Sequence, residues 1–304
     1  MLDVRTGRAN ELKHELAPKV DTISVDRLVN GDEAEVLEFL AQRPIHTVAM
    51  MSLIHDNGLV SPLNRGAFYG CRDLKGQLEG VALVGHATLI ETLSDRALAA
   101  LAQVAQQCAN THIIMGEKER VADFWGHYAA AGRQQRLTCR ESLFEFTWPV
   151  EAREAVAGLR RATAAELELV MPVQAELAFA ESGVNPLQTD PEGFRRRCLR
   201  RIEQGRTWVV IEDGQLIFKA DVISRTAEVN YLEGIWVRED RRANGSALRL
   251  MSDLMRRLLE DTKSICLLVN EANQLAQSFY RKCGFHFRAT YETIFLPRLE
   301  QAQN

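Results

Sequence analysis

Residues 238–247 join a predicted strand to a predicted helix, and their composition favours the binding of an anion. Before them, residues 229–237 alternate with the period of a β-strand, and from Ala247 onward the apolar residues recur with helical spacing. The helix opens at Gly245, where unpaired backbone N–H groups and the positive end of the helix dipole meet. Glycine lets a phosphate approach the backbone, and Arg242 adds positive charge. The pattern Arg-x-x-Gly-x-Ala therefore predicts an anion site.

Two other phosphate-binding patterns are absent from the sequence. Neither GxxxxGK[ST] nor GxGxxG occurs, so interpretations as a nucleoside-triphosphate or dinucleotide site lose their main support.

A carboxylate stands in the strand before this turn. Alternation predicts that Glu233 shares one face with four apolar or aromatic residues, Val229, Tyr231, Ile235 and Val237. A glutamate is unusual there unless the face borders a polar cleft or the carboxylate pairs with an arginine. The residues alone leave both interpretations open.

A second stretch, residues 264–285, reads as a strand followed by a helix, SICLLVNEANQLAQSFYRKCGF. With the first motif ahead of it at this spacing, the sequence resembles the GCN5-related N-acetyltransferase (GNAT) superfamily over roughly residues 158–297. The first motif is similar to the family's acyl-CoA pyrophosphate loop, although Ala243 stands where the family commonly has glycine. The second signature is matched by Asn270, Asn273, Ala276, Tyr280, Gly284 and Phe285.

The resemblance implies an α/β fold with a mixed sheet and the transfer of an acyl group, here acetyl from acetyl-CoA, to an amine. In this family the amine attacks the thioester directly, so the protein must orient both substrates, remove an ammonium proton and protonate the thiolate. The resemblance makes Tyr280 the candidate acid, since its ordinary pKa of about 10 lies near that of a thiol. A buried core tyrosine is the alternative. Glu233 is the candidate base.

The resemblance also implies contacts with CoA but no metal. The backbone of Ile235, Trp236 and Val237 is expected to pair with the pantetheine arm. Backbone amides of the loop are expected to hold the pyrophosphate, and these belong to Arg242, Ala243, Asn244, Gly245, Ser246 and Ala247. Asn270 and Ala276 are expected near the cofactor, while Asn273 is expected to fix the turn or touch CoA. A non-catalytic acyl-CoA sensor is the alternative function, although Tyr280 and Glu233 favour an enzyme.

Composition limits the other possibilities. The 304 residues allow about two domains. A net charge of −4 opposes a dedicated nucleic-acid-binding function, and the arginine-rich run 195–201 is expected to be the solvated face of a helix. No apolar segment is long enough to span a membrane and no signal peptide is recognisable, which predicts a cytoplasmic protein. The six cysteines lack CxxC spacing and read as free, mostly buried thiols.

The two halves of the chain, residues 1–150 and 151–304, show a similar order of predicted elements. In the first half we predict helices at 9–16, 32–42, 46–55, 95–108 and 121–131, and strands at 66–71, 78–84, 111–115 and 142–148. In the second half we predict helices at 164–181, 190–203, 273–282 and from 244, and strands at 207–211, 216–223, 227–237, 264–269 and 286–295.

An internal comparison favours two diverged copies of one fold. With a constant offset of 154, Ile113 falls on Leu267 and Trp125 on Phe279. The first copy has Gly126 in place of Tyr280 and no Arg-x-x-Gly loop. We therefore expect a degenerate GNAT-like domain at 1–150 and an acetyltransferase domain at 151–304. The loop 182–189 is expected to border the acceptor pocket, but no motif identifies the amine acceptor or the oligomeric state.

Overall fold

The computed structural model describes residues 23–151, 153, 155–242 and 245–297. Within them, twelve strands form one mixed sheet in the order β1-β2-β3-β4-β5-β12-β6-β11-β10-β9-β8-β7. Helices cover both faces of this sheet, so the α/β fold with a mixed sheet is confirmed. No helix in these residues is long and apolar enough to cross a bilayer.

Each half contributes its elements in the same order, strand, helices, three strands, helix, strand, helix, strand. The first half contains β1 (Ser24–Arg27), α1 (Glu33–Leu40), α2 (Pro44–Asn57), β2 (Gly66–Arg72), β3 (Leu78–Gly85), β4 (Ala87–Thr92), α3 (Asp95–Gln106), β5 (Ile113–Glu117), α4 (Lys118–Tyr128) and β6 (Leu137–Thr147). The second half contains β7 (Arg160–Arg161), α5 (Leu167–Ser182), α6 (Pro186–Thr189), α7 (Pro191–Glu203), β8 (Thr207–Glu212), β9 (Gln215–Arg225), β10 (Val229–Val237), α8 (Ser246–Leu258), β11 (Ser264–Asn270), α9 (Gln274–Lys282) and β12 (His286–Phe295).

The two halves exchange their last strands. β12 closes the second half in sequence, yet it pairs with β5 of the first half and with β6. β6 in turn pairs with β11 of the second half through seven residues, from Ser264↔Thr147 to Asn270↔Glu141. The centre of the sheet is therefore built reciprocally, and neither half has a complete sheet of its own.

Two hydrophobic clusters in the second half lie on opposite faces of the sheet. One cluster includes Phe218, Leu232 and Leu254 and packs beneath α8 and α9. The other includes Val209 and Phe194 and packs beneath α5 and α7. These two faces position the candidate site.

Most predicted elements are confirmed, with differences that have local causes. The sequence analysis missed the short strand β1 and the strand β4, which follows β3 after a single residue. It also started α4 three residues late and β6 five residues late, and residues 164–166 form a 3₁₀ turn ahead of α5. The predicted helix at 9–16 lies outside the described residues. All six cysteines are free.

The arginine-rich run is not the uniformly solvated face that we expected. Arg201 turns into the protein and pairs with buried Asp221 at 3.0 Å.

Candidate active site

The candidate site opens where two parallel strands separate. β10 and β11 are paired from Val229↔Ser264 to Leu232↔Leu267 and then diverge, although both strands continue. On the side of β11, the backbone of residues 233–237 consequently has no strand partner. Ile235, Trp236 and Val237, the residues predicted to meet the pantetheine arm, lie along this gap. Their contact with CoA stays a prediction.

A β-bulge at Gly234 changes which side chains share a face of β10. Glu233 pairs with Asp221 and Trp236 with Lys219, so three steps along β10 match two along β9. The predicted strict alternation is therefore wrong. Ile235 and Val237 pack beneath α8 and α9, whereas Glu233 shares the opposite face with its cross-strand partner Asp221.

The bulge requires glycine. Gly234 has a φ of +60°, and a Cβ atom there would come within 2.7 Å of Gln174 Oε1 and 2.9 Å of Lys219 Nζ. A larger side chain would have to displace two buried polar groups.

Those polar groups belong to a buried network under the bulge. Lys219 is 0% exposed, and its Nζ donates to Asp221 Oδ2 and Gln174 Oε1, each at 2.6 Å, and to Gly234 O at 3.2 Å. Burial opposes the ionisation of Asp221, but Lys219 and Arg201 hold its pKa below the ordinary value. The network fixes the backbone that carries Glu233.

Glu233 belongs to a cluster of acidic side chains. Among the described residues none donates a hydrogen bond to Glu233, and the residue is partly exposed. Burial raises its pKa, and the positive charge of Arg201 opposes that rise. Among the described residues no arginine forms an ion pair with Glu233, and its role as the base stays a prediction.

Two further carboxyl groups complete this acidic cleft, which we define by Glu141, Glu181 and Glu233. Glu181 lies on the solvent-accessible side. Desolvation by the surrounding protein and the charges of Glu233 and Glu141 raise its pKa to about 8. Burial also raises the pKa of Glu141, although Thr293 donates a hydrogen bond to it at 2.7 Å. The raised pKa values mean that the three carboxyl groups hold protons more readily than free carboxylates, and an ammonium group bound beside them would favour their ionised forms.

The sequence analysis missed Glu141 and Glu181 because they lie far from both motifs along the chain. One signal was available, since Lys219 and Asp221 interrupt the apolar strand sequence LIFKADVI. Charged residues within such a strand indicate a buried polar network.

The start of α8 fits an anion. Gly245 precedes the helix with a φ of +73°, and a Cβ atom there would have no neighbour within 4 Å. No side chain caps this helix and its first turn holds no acidic residue. Arg242 lies nearby, with Nε donating to Val237 O at 2.9 Å. Ala243 and Asn244 lie outside the described residues.

The start of α9 is fixed by its own asparagines. Asn273 Oδ1 accepts a hydrogen bond from the backbone N of Ala276 at 3.0 Å, and Asn270 Oδ1 accepts one from Ala272 N at 2.8 Å. Asn273 therefore caps the helix. Contacts of Asn270, Asn273 and Ala276 with CoA stay predictions.

Tyr280 lies on the other side of the gap from the acidic cleft. Its ring contacts Phe279 and Phe285 edge-on, with centroids 5.4 and 5.8 Å away. The residue is partly exposed, and no described residue bonds to its hydroxyl. Burial raises its pKa, which keeps the hydroxyl protonated. Ile235, Ala247, Ala276 and Tyr280 all pack against the cluster beneath α8 and α9.

The corresponding opening in the first half is filled by charged side chains. β4 and β5 are parallel and also separate beyond Leu89↔Met115. Arg43 occupies the gap and donates to Glu91 at 3.0 Å and to Glu117 at 2.6 Å. The remaining cavity has a volume of about 30 Å³.

The helix that follows this first opening is also closed to an anion. Ser94 accepts a hydrogen bond from Ala97 N at the start of α3, and Asp95 adds a negative charge there.

Comparison with known proteins gives a family match in the second half of the chain. A family model described as an acetyltransferase (GNAT) domain matches residues 203–287, which run from the end of α7 to the start of β12. We call this matched segment the GNAT domain. The GNAT domain thus contains the gap between β10 and β11, the α8 start and Tyr280. No curated protein matches the sequence.

Solved structures extend the similarity beyond the GNAT domain to the fold of nearly the whole chain. A Drosophila protein has a TM-score of 0.63 at 12% identity and covers 90% of this chain and 98% of its own. A GCN5-related N-acetyltransferase from Sphaerobacter thermophilus has a TM-score of 0.57 at 14% identity, covering 93% and 98%. A tandem GNAT protein from the clavulanic acid biosynthesis pathway has a TM-score of 0.54 at 14% identity, covering 90% and 98%.

Proposed function

We propose that the protein is an acyl-CoA-dependent N-acyltransferase that transfers acetyl from acetyl-CoA to an amine at the GNAT domain. The observation that carries the proposal is the gap between β10 and β11. An uncapped helix start lies beside the gap, and Glu233 and Tyr280 lie on opposite faces of the sheet around it.

Different residues of the site bind the pyrophosphate, the pantetheine arm and the acceptor. The free N–H groups at the start of α8 and the charge of Arg242 hold the pyrophosphate of CoA. The backbone of Ile235 and Val237, which has no strand partner on the side of β11, accepts the pantetheine arm as an added strand. The acidic cleft attracts the ammonium form of the acceptor and orients it from the face of the sheet opposite α8.

Proton transfer then accompanies the acyl transfer. Glu233 removes a proton from the ammonium group, and the amine nitrogen attacks the thioester carbonyl carbon. A C–N bond forms, the C–S bond breaks and Tyr280 gives its proton to the departing sulfur. The second proton that the nitrogen releases as the amide forms restores the Tyr280 hydroxyl. The raised pKa of Glu233 suits it to this exchange, because its proton affinity is brought closer to that of an amine.

The first half does not bind CoA in this proposal. Arg43, Glu91 and Glu117 occupy its gap, and Ser94 occupies the helix start that would meet the pyrophosphate.

A transfer assay tests the proposal. The full chain is incubated with acetyl-CoA and a panel of primary amines, and free CoA and acetylated products are measured by mass spectrometry. We expect transfer by the wild type and a fall of roughly 10²-fold or more in kcat/KM for Glu233→Gln, the usual contribution of a general base. Glu176→Gln, which changes an exposed glutamate of α5, is the matched control.

The outcomes separate the alternatives. Tight CoA binding without transfer to any amine would favour the acyl-CoA sensor. An absence of both binding and transfer would refute the proposal.

A further inference from the structure

A second cavity lies where the two halves of the chain meet, with a volume of about 420 Å³. We call it the junction cavity and define it by Arg65, His86, His112, Arg136, Ser182 and Arg197, which line it with several neighbours. Four of these residues come from the first half and two from the segment that contains α5 to α7.

One wall of the junction cavity is a row of strand ends, most of them from the first half and one from β12. His86 N donates to Arg65 O at 2.9 Å, and His112 N donates to His86 O at 3.0 Å. The row continues with Leu296 N, which donates to His112 O at 2.9 Å, and Arg136 N, which donates to Phe295 O at 2.8 Å. This ladder holds the backbones of Arg65 and Arg136 in fixed positions along the wall.

The junction cavity is positively charged, although the whole chain has a net charge of −4. Of its three arginines, only Arg197 has a carboxylate partner, Asp190, at 3.0 Å. In the part of the chain that the structure describes, no carboxylate lies within ion-pair distance of Arg65 or Arg136. The Arg136 side chain is held by a hydrogen bond to Ser182 O at 3.1 Å and lies over the Phe295 ring at 5.6 Å.

The two arginines without carboxylate partners, Arg65 and Arg136, reach solvent and can meet an anion that enters the cavity. Burial and the neighbouring charge of Arg197 lower the pKa of Arg65, and Asp190 offsets only part of this effect. Three guanidinium groups against one carboxylate leave an excess of two positive charges around one cavity. Guanidinium groups match carboxylate and phosphate groups in geometry as well as in charge.

The junction cavity and the acidic cleft share the last turn of α5. Ala178 and Ser182 lie one helical turn apart and line the cavity, whereas Glu181 belongs to the acidic cleft. Because Ala178 and Glu181 are three residues apart, the positive cavity and the carboxyl group of Glu181 lie at neighbouring positions of the same helical turn.

We propose that the junction cavity binds an anionic group, a phosphate or a carboxylate, on the amine that the acidic cleft presents for acetylation. The inference rests on the proposed function, because it names the class of acceptor for that reaction. The acceptor carries an amine at one end and the anionic group at the other, and both halves of the chain contribute to its recognition.

Three acceptors of matched length test the inference. They are 6-amino-1-hexanol, 6-aminohexanoate and 6-aminohexyl phosphate, assayed with the full chain and acetyl-CoA. We expect kcat/KM at least tenfold higher for one or both anionic amines than for the alcohol, the size expected for one charge-assisted hydrogen bond. The phosphate and carboxylate arms show which anion the cavity prefers. Equal kcat/KM values for all three would overturn the inference while leaving acetyl transfer intact.

Substitutions of the cavity arginines test whether the preference for an anionic amine arises in the junction cavity. Arg65→Gln and Arg136→Gln should each reduce the preference for the anionic amine about tenfold and leave kcat/KM for the alcohol unchanged. Arg195→Gln removes an arginine that pairs with Glu168 outside the cavity and should keep the preference. A preference that survives in both cavity variants would contradict the assignment.

A direct binding measurement tests the anion site independently of turnover. Isothermal titration of 6-aminohexyl phosphate into the full chain should show binding that Arg65→Gln weakens about tenfold and Arg195→Gln does not change. No binding to the wild type would refute the junction cavity as an anion site, whether or not acetyl-CoA is turned over.

Discussion

At the scale of a single residue, a substitution of Tyr280 distinguishes CoA binding from the chemical step. Tyr280→Phe keeps the ring that packs against Phe279 and Phe285 and removes only the hydroxyl, which no described residue bonds. We expect kcat to fall roughly 10²-fold or more, with CoA affinity nearly unchanged. Steady-state kinetics and CoA titration measure the two quantities, and Tyr69→Phe in β2 is the control. Full activity in the Phe variant would remove Tyr280 from the mechanism.

Glu181 predicts a dependence of stability on pH. Its pKa rises from an ordinary 4.5 to about 8 in the folded protein, so the folded chain keeps a proton that the unfolded chain releases. Stability should therefore fall as the pH rises from about 4.5 to 8, where the unfolded state binds fewer protons. Glu181→Gln should lessen this fall, and Glu176→Gln should not. Urea unfolding at pH 5, 7 and 9 measures it, and parallel curves for wild type and Glu181→Gln would contradict the assignment.

At the scale of an element, the bulge in β10 is what turns Glu233 away from Ile235. Gly234→Ala should destabilise the protein by about 1–3 kcal/mol more than Gly214→Ala, because the new methyl group meets Gln174 and Lys219. Gly214 is the matched control, since it has a φ of +74° and no neighbour within 4 Å of an added Cβ atom. Denaturant unfolding compares the two variants, and equal losses would show that the contacts around Gly234 do not constrain the bulge.

The exchange of β6 and β12 predicts that neither half of the chain folds stably without the other. A chain of residues 151–304 lacks β6 and leaves β11 with an unpaired edge, while a chain of residues 1–150 lacks β12 beside β5. We expect neither to be a stable monomer and expect co-expression to restore a complex. Circular dichroism and size-exclusion chromatography measure this. A cooperatively folded, CoA-binding 151–304 monomer would contradict the structural importance of the exchange.

Local sequence patterns predicted most elements, but not how they pair. β6 and β12 read correctly as strands because their apolar residues alternate, and that pattern does not say which neighbour each strand takes. The bulge escaped prediction because Gly234 fits a regular alternation as well as an irregular one. The first motif predicted a helix from 244, two residues before α8 begins. The acidic cleft was missed because α5, β6 and β10 meet only in the folded chain.

At the scale of the whole molecule, the first half supports the site although its own gap is filled. α2 packs Val48 into a cluster with Val229, beside the partly buried ring of Tyr231. Asp56 at the end of α2 accepts hydrogen bonds from Arg206 of the second half, both at 2.7 Å. The first half therefore forms one wall of the acceptor side and supplies four of the residues that define the junction cavity. In the proposed reaction the first half thus takes part without binding CoA itself.

The titration of CoA into the full chain tests the central claim most directly. The wild type should bind one CoA per chain, because among the described residues Arg43 fills the gap of the first half and Ser94 caps α3, whereas the gap between β10 and β11 is followed by a helix without a side-chain cap. Gly245→Glu should abolish this binding, since it places a negative side chain where the pyrophosphate approaches. Gly76→Glu, at a turn of the first half with a φ of +81°, carries the same charge and a similar backbone strain and should bind normally. Two CoA molecules per chain, or unchanged affinity in a folded Gly245→Glu variant, would contradict the account.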